Sequence, residues 1–280
     1  MSSTRLVAFS AFCASLACAA GDIVFTAADT EIVVTPRAPL ATQFAAKELK
    51  SFLDRALRAD VKISVSFTAG KHAIVLGTNG WSRAAGIDVD AKPRDTFAIK
   101  ACDGSVFIVG RDSVGQDPGA LIARGRGTDL RSLTRAERAT VFGVYEFLER
   151  FAGCRFYFPG ELGEIVPRSS AIRVPAGTSI ERTPLFSQRS VSLNSPMRGQ
   201  TGTIEQKLSL QLLNWVRLRL ETDHLQCGHG LNSMDYARRF ADTHPEYFCL
   251  RQDGKRATLK VDPNPKSQSH CVGQDRKSVV

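Results

Sequence analysis

Two short stretches towards the C-terminal end gather the residue types that bind metals or exchange protons. Asp223-His224-Leu-Gln-Cys227-Gly-His229-Gly230 is followed by Thr243-His244-Pro-Glu246-Tyr-Phe-Cys249. The His-x2-Cys-x-His spacing departs from the Cys-x2–4-Cys and His-x3–5-His pairs of structural zinc sites, so no metal ligand is assigned. A different chemistry, cleavage of a glycosidic bond, needs two carboxyls about 5 Å apart for retention and further apart for inversion. Glu161 and Glu164 are close in sequence, but Pro159-Gly160-Glu161-Leu-Gly-Glu164 reads as a tight polar turn. They are taken as turn residues, and no catalytic residue is assigned. Gly77-Thr-Asn-Gly80 lacks the Lys-Ser/Thr of a phosphate loop and the third glycine of a dinucleotide fingerprint. It reads as a plain turn, and no cofactor is expected.

The elements that position these residues come from apolar periodicity. Val141, Val144, Tyr145, Leu148 and Phe151 form a helical stripe, and Gly153 falls where a helix ends with positive φ. Cys154 to Phe158 then reads as a strand closed by Pro159-Gly160. Upstream, Asp22 to Thr35 alternates as one or two strands. Pro39 opens an amphipathic helix through Leu40, Phe44, Leu49, Phe52 and Leu53. Val61 to Val65 and His72 to Leu76 read as strands. Thr96 to Lys100 and Ser105 to Gly110 flank an Asp103-Gly104 turn, which predicts an antiparallel hairpin. Residues 111–133 show no periodicity and read as an exposed loop. Thr134-Arg-Ala-Glu137 has capping-box spacing and is expected to start the 141–151 helix. The result is an α/β (α+β) domain: a mixed sheet of five or six strands with two helices. Ile165 to Thr183, with Pro167 and Pro175, reads as a last edge strand and a linker. Thr203-Ile-Glu-Gln206 is a second capping box, opening a helix through Leu208, Leu212, Trp215 and Val216.

The chain has 280 residues, 43% of them hydrophobic, and a formal charge of +9. That is long enough for one large or two modest domains. Its basic concentrations, Arg124 to Arg138 and Arg251 to Lys277, carry no interleaved aromatics, so nucleic acid is not expected as a partner. Arg5 followed by the apolar run Leu6 to Ala20 reads as a secretory signal peptide, with Ala17-Cys-Ala19 as the cleavage site. Ser15-Leu-Ala-Cys18 fits a lipobox poorly, so a secreted or periplasmic protein is expected ahead of a lipid-anchored one. No integral membrane segment is expected after cleavage. Cys102, Cys154, Cys227, Cys249 and Cys271 would remain, an odd number in a compartment that permits disulfides.

Ala45-Ala-Lys-Glu-Leu49, Ile74-Val-Leu-Gly77, Phe142-Gly-Val-Tyr-Glu-Phe-Leu-Glu149 and Phe156-Tyr-Phe-Pro-Gly160, in this order of elements, carry a resemblance. They resemble the N-terminal domain of bacterial α-glucuronidases and the related non-catalytic domain preceding the barrel in β-N-acetylhexosaminidases. The resemblance implies a signal peptide over 1–20, a small mixed-sheet sandwich over 21–178, a linker over 179–185 and the first units of a (β/α)8 glycosidase-like barrel over 186–280. A whole barrel takes on the order of 250 residues, so the barrel begun here is expected to be incomplete and the chain without activity. The resemblance implies a carbohydrate partner. It also implies that the aromatic strand Phe156-Tyr157-Phe158 is core, with sugar stacking as the other reading, since alternation along the strand turns Tyr157 opposite to the other two. Phe186 to Val191 would be the first barrel strand. Arg189 near its end is the candidate for binding sugar hydroxyls, a surface strand position being the other reading. The Gly-His and His-Pro-Glu-Tyr-Phe motifs add His229, His244 and Glu246 as candidate substrate-binding residues, with a structural or solvated histidine as the alternative for His229. The alternative function is a non-catalytic carbohydrate-binding or interaction module.

Overall fold

A computed structural model describes residues 21–189, 201–220, 236–248, 250 and 253–256. The chain divides into two compact units, 1–223 and 224–280. The first is a mixed α/β domain. Its six-stranded sheet has the order β10-β5-β6-β4-β2-β3, built from β2 (Thr30–Val33), β3 (Lys62–Ser64), β4 (His72–Leu76), β5 (Phe97–Cys102), β6 (Ser105–Gly110) and β10 (Ser179–Arg182). Strands β3, β2, β4 and β6 are parallel neighbours, while β5 and β10 add antiparallel. The predicted hairpin is β5-β6, with Cys102 opposite Ser105 and positive φ at both Asp103 and Gly104. Two small ladders flank the sheet: β1 (Ile23–Thr26) with β9 (Ala171–Val174), and β7 (Arg155–Phe156) with β8 (Glu164–Ile165).

Helix α1 (Leu40–Leu57) starts at Pro39, whose φ of −49° is already helix-compatible, and ends on Arg58 in the left-handed region. Its buried stripe runs Ala41, Ala45, Leu49, Phe52, Leu53 and Ala56. Helix α5 (Ala139–Phe151) is buried on nearly every side, because it lies between the sheet and other helices. Both rest on one face of the sheet, where Ile32, Ile74, Leu76, Ile99 and Ile108 join Phe142, Val144 and Leu148 in one core. The opposite face carries a smaller cluster, Val33, Val75, Phe107 and Val109, covered by Ile87, Val89 and Trp81. Trp81 belongs to α2 (Gly80–Ala84), so the glycine loop at 77–80 is not a plain turn throughout. Asn79 and Ser82 cap that helix reciprocally.

Several sequence expectations are corrected. Residues 111–133 are not an exposed loop: they contain α3 (Pro118–Arg124) and the start of α4 (Asp129–Arg135), which bury Leu121, Ile122 and Leu133. Thr134 lies in α4 and does not cap α5. Arg138 is at the cap position of α5 without a side-chain capping bond, and the acceptor comes from Asp112, whose carboxylate takes the Thr140 N–H at 3.0 Å. The aromatic strand stops after two residues. Phe156 is buried, but Tyr157 and Phe158 are 63% and 51% exposed, so Phe158 is not core. Residues 179–182, expected in a linker, form edge strand β10 and pair with β5. Gly153 does end α5 with φ of +69°.

The Thr203 capping box is present and opens α6 (Ile204–Arg217). Leu212 and Val216 of this helix enter the main core of the first unit. Residues 1–20, His229, and Ser190 and Val191 of the expected 186–191 strand lie outside the described residues. Among the described residues no helix is long and apolar enough to cross a membrane.

Candidate functional site

A set of charged and aromatic side chains lies where α1, α5, α6 and β8 meet. These elements bring several polar side chains into an otherwise apolar contact. Glu48 comes from α1, Tyr145 from α5 and Arg217 from the last turn of α6, while β8 supplies Glu164. The Tyr145 hydroxyl donates to Glu48 Oε2 at 3.0 Å, and Arg217 Nε donates to the same oxygen at 3.1 Å. Arg217 Nη1 donates to Glu164 Oε1, and Arg55 Nη1 reaches Glu164 Oε2 at 2.5 Å. The Arg217 guanidinium lies 5.0 Å from the Phe52 ring centroid and 5.7 Å from that of Phe156. These two rings meet edge to face at 5.3 Å.

The titration behaviour follows from this enclosure. Burial alone would raise the Glu164 carboxyl, but the bonds and charges of Arg55 and Arg217 outweigh it and hold the group below its ordinary value. Tyr145 is pushed well above the ordinary phenol value by burial and by the Glu48 charge, against the opposing pull of Arg217. It therefore stays a donor. One guanidinium thus bridges two carboxylates, and the set holds charge rather than moving protons. Glu164 is committed to two arginines and Glu161 is exposed on a 3-10 turn (Glu161–Gly163). Neither forms an acid–base pair with the other.

Asp112 is a further, half-buried carboxyl. It sits just after β6, accepting from Thr42 Oγ1 at 2.6 Å and from the Thr140 N–H, and so ties the first turns of α1 and α5 together. Burial raises its pKa to about 6, the hydrogen bonds only partly offsetting it. Among the described residues, shallow hollows of about 310, 220 and 320 Å³ lie elsewhere on the surface, the first and last of them lined by the 86–90 loop. Among the described residues no group of three or more His, Cys, Asp or Glu side chains is arranged to hold a metal.

Of the sequence-predicted residues, Arg189 lies in the first unit, His244 and Glu246 lie in the second, and His229 is outside the described residues. Arg189 is turned onto its own domain: Nη2 donates to Asp95 Oδ2 at 3.0 Å, Nε to the Arg219 carbonyl at 3.0 Å and Nη1 to the Phe186 carbonyl at 2.6 Å. Asp95 is buried and has φ of +64°, a conformation that costs a non-glycine residue energy. His244 and Glu246 belong to the second unit, at a 3-10 turn (Pro245–Tyr247) after a short helix, Tyr236–Phe240. His244 Nδ1 is 2.9 Å from Glu246 Oε1, and its ring stacks on Tyr247 at 4.7 Å with planes 9° apart. This exposed flat face with a carboxylate beside it can stack on and hydrogen-bond a polar ring. Sequence reasoning missed Glu48 and Arg217. The available signal was Tyr145, since a tyrosine inside a buried helical stripe needs a partner for its hydroxyl.

No family model and no curated protein matches the sequence. Among solved structures, the chain is similar to a family GH115 4-O-methyl-α-glucuronidase with specificity for decorated arabinogalactans. The identity is 14% and the TM-score 0.44, over 71% of this chain and 25% of that one. It is similar to the family GH20 β-N-acetylhexosaminidase of Streptomyces coelicolor A3(2) at 14% identity and a TM-score of 0.36, over 61% and 25% of the two chains. A family GH20 exo-β-N-acetylglucosaminidase of Vibrio harveyi gives 13% identity and 0.31, over 62% and 18%. All three are glycoside hydrolases, and the matched part of this chain spans a quarter or less of their length.

Proposed function

We propose that the chain is the small accessory domain and the opening part of the next domain of a secreted carbohydrate-active protein of the glycoside hydrolase type, acting on polysaccharide or glycoconjugate. The observation that carries this reading is the role of the signature segment 142–160. Its helix and Phe156 form the centre of the core, and the acidic residue that follows, Glu164, is neutralised by Arg55 and Arg217. Such a domain supports a neighbour and does not itself cleave. In this reading His229, His244 and Glu246 contact sugar from the following part of the protein. Arg189, with three of its five N–H groups committed internally, contributes the remaining two. Reading the DNA downstream of codon 280 in all frames tests the proposal. Further βα units with paired acids are expected, and their absence would overturn it.

The exposure of Tyr157 and Phe158 favours one second reading, a carbohydrate-binding module that stacks sugars on these rings. Calorimetric titration of the chain with acidic oligosaccharides distinguishes the two. Binding that disappears in Tyr157→Ala supports the module, and no binding removes it.

A further inference from the structure

Helix α6 is separated from β10 by more than twenty residues, yet it is built into the first unit at both ends. At its start, Gly125 caps α3 and lies so close to the α6 backbone that a Cβ there would come within 2.0 Å of the Glu205 carbonyl oxygen. At its end, Arg217 is buried, with 9% of its side chain exposed. Its surroundings are specific in kind. Two carboxylates converge on different nitrogens of one planar cation, a phenol shares one of those carboxylates, and two phenyl rings lie within 6 Å of it. A forked, flat, weakly hydrated cation satisfies all of these at once. A lysine ammonium offers a point charge that cannot span both carboxylates and is harder to strip of water.

The charges make the same point. Glu48 and Glu164 are countered by Arg217 and Arg55, and among the described carboxylates Arg55 pairs with Glu164 and not with Glu48. Without the Arg217 side chain, Glu48 loses its bonded cation in a site closed by Phe52, Phe156 and Tyr145. We propose that Glu48, Tyr145 and Glu164, walled by Phe52 and Phe156, form a guanidinium receptor, and that Arg217 fills it in cis as the pin that seats α6 on the mixed-sheet domain. The receptor belongs to the domain and α6 is its tethered ligand, so emptying it creates a site for a free alkylguanidinium. The proposal does not depend on the carbohydrate reading above.

The test uses the full chain carrying Arg217→Ala, with methylguanidinium as probe well below denaturing concentrations and methylammonium and sodium chloride at matched ionic strength as controls. Methylguanidinium is expected to raise the Tm of the variant saturably, by roughly 3–6 °C at ten times its Kd, and to leave the native chain unaffected. Adding Glu164→Gln to the variant should abolish the rise. An equal rise with methylammonium, or a rise that survives Glu164→Gln, would overturn the proposal, as would no rise at all. Should Arg217→Ala fail to fold, Arg217→Lys keeps the charge without the fork. Faster hydrogen exchange confined to residues 204–217 is then expected, and native-like protection of α6 would overturn the proposal.

Discussion

Asp112 provides the sharpest test of the electrostatics of this fold. Its carboxyl titrates near 6 when folded, against an ordinary value of 3.8, because burial penalises the charged form. A raised carboxyl pKa means that the folded state holds the proton more tightly than the unfolded state. The stability from this group is full below about pH 4 and is lost as the pH rises through 6. The shift of about two units corresponds to about 3 kcal/mol between these limits. Asp112→Asn removes the ionisation and keeps an oxygen acceptor for the Thr140 N–H, while Thr42 Oγ1 can turn from donor to acceptor. The variant should therefore match the native chain near pH 4 and exceed it at pH 8 by up to about 3 kcal/mol. Denaturant unfolding of both proteins at the two pH values measures this. A variant that is less stable than the native chain at pH 8 would show that Asp112 is valued as a charged cap for α5, and would refute the reasoning.

The two aromatic residues at the end of the signature segment should behave differently. Phe156→Ala should cost about 3–5 kcal/mol in unfolding experiments, and Phe158→Ala within roughly 0.5 kcal/mol of nothing, because only the first ring is buried. Asp95→Ala leaves Arg189 without its carboxylate and forces alanine into positive φ, so a loss of roughly 3 kcal/mol is expected, with Asp95→Asn milder. Burial pushes the Cys154 thiol up to about 11, so in the folded protein it should react with a thiol reagent at pH 8 only as fast as the domain unfolds.

Local chemistry was legible in the sequence and remote chemistry was not. The Asp103-Gly104 hairpin, the Pro39 helix and the Thr203 capping box each depend on residues within four positions of one another, and each is present. Thr134 and Glu137 have the same local spacing, yet Glu137 pairs with Arg111 and the cap of α5 comes from Asp112, 28 residues before Thr140. Helices α3 and α4 are seven residues each, too short to show an apolar period among the glycines and arginines of 111–133. The alternation expected through Phe158 ends because pairing with β8 stops at Phe156. Arg189 shows what a motif leaves out. Its guanidinium also bonds a buried aspartate 94 residues earlier in the chain, a contact that no local spacing announces. The Glu48–Tyr145–Glu164–Arg217 set spans 169 residues, and no spacing rule reaches that far.

The ladder of β1 with β9 sets the order in which this protein can become native. Ile23 faces Val174, so the first strand made is left without its partner until some 150 residues more have been synthesised. Pairings over such separations are slow to close, because the intervening chain must give up its freedom first. The parallel part of the sheet, β2, β3, β4 and β6, is complete only at residue 110, and its β10 edge arrives at 179. A nascent chain therefore carries a sheet with an open edge until residue 182 has been made, so the native pairing of this domain closes late in its synthesis.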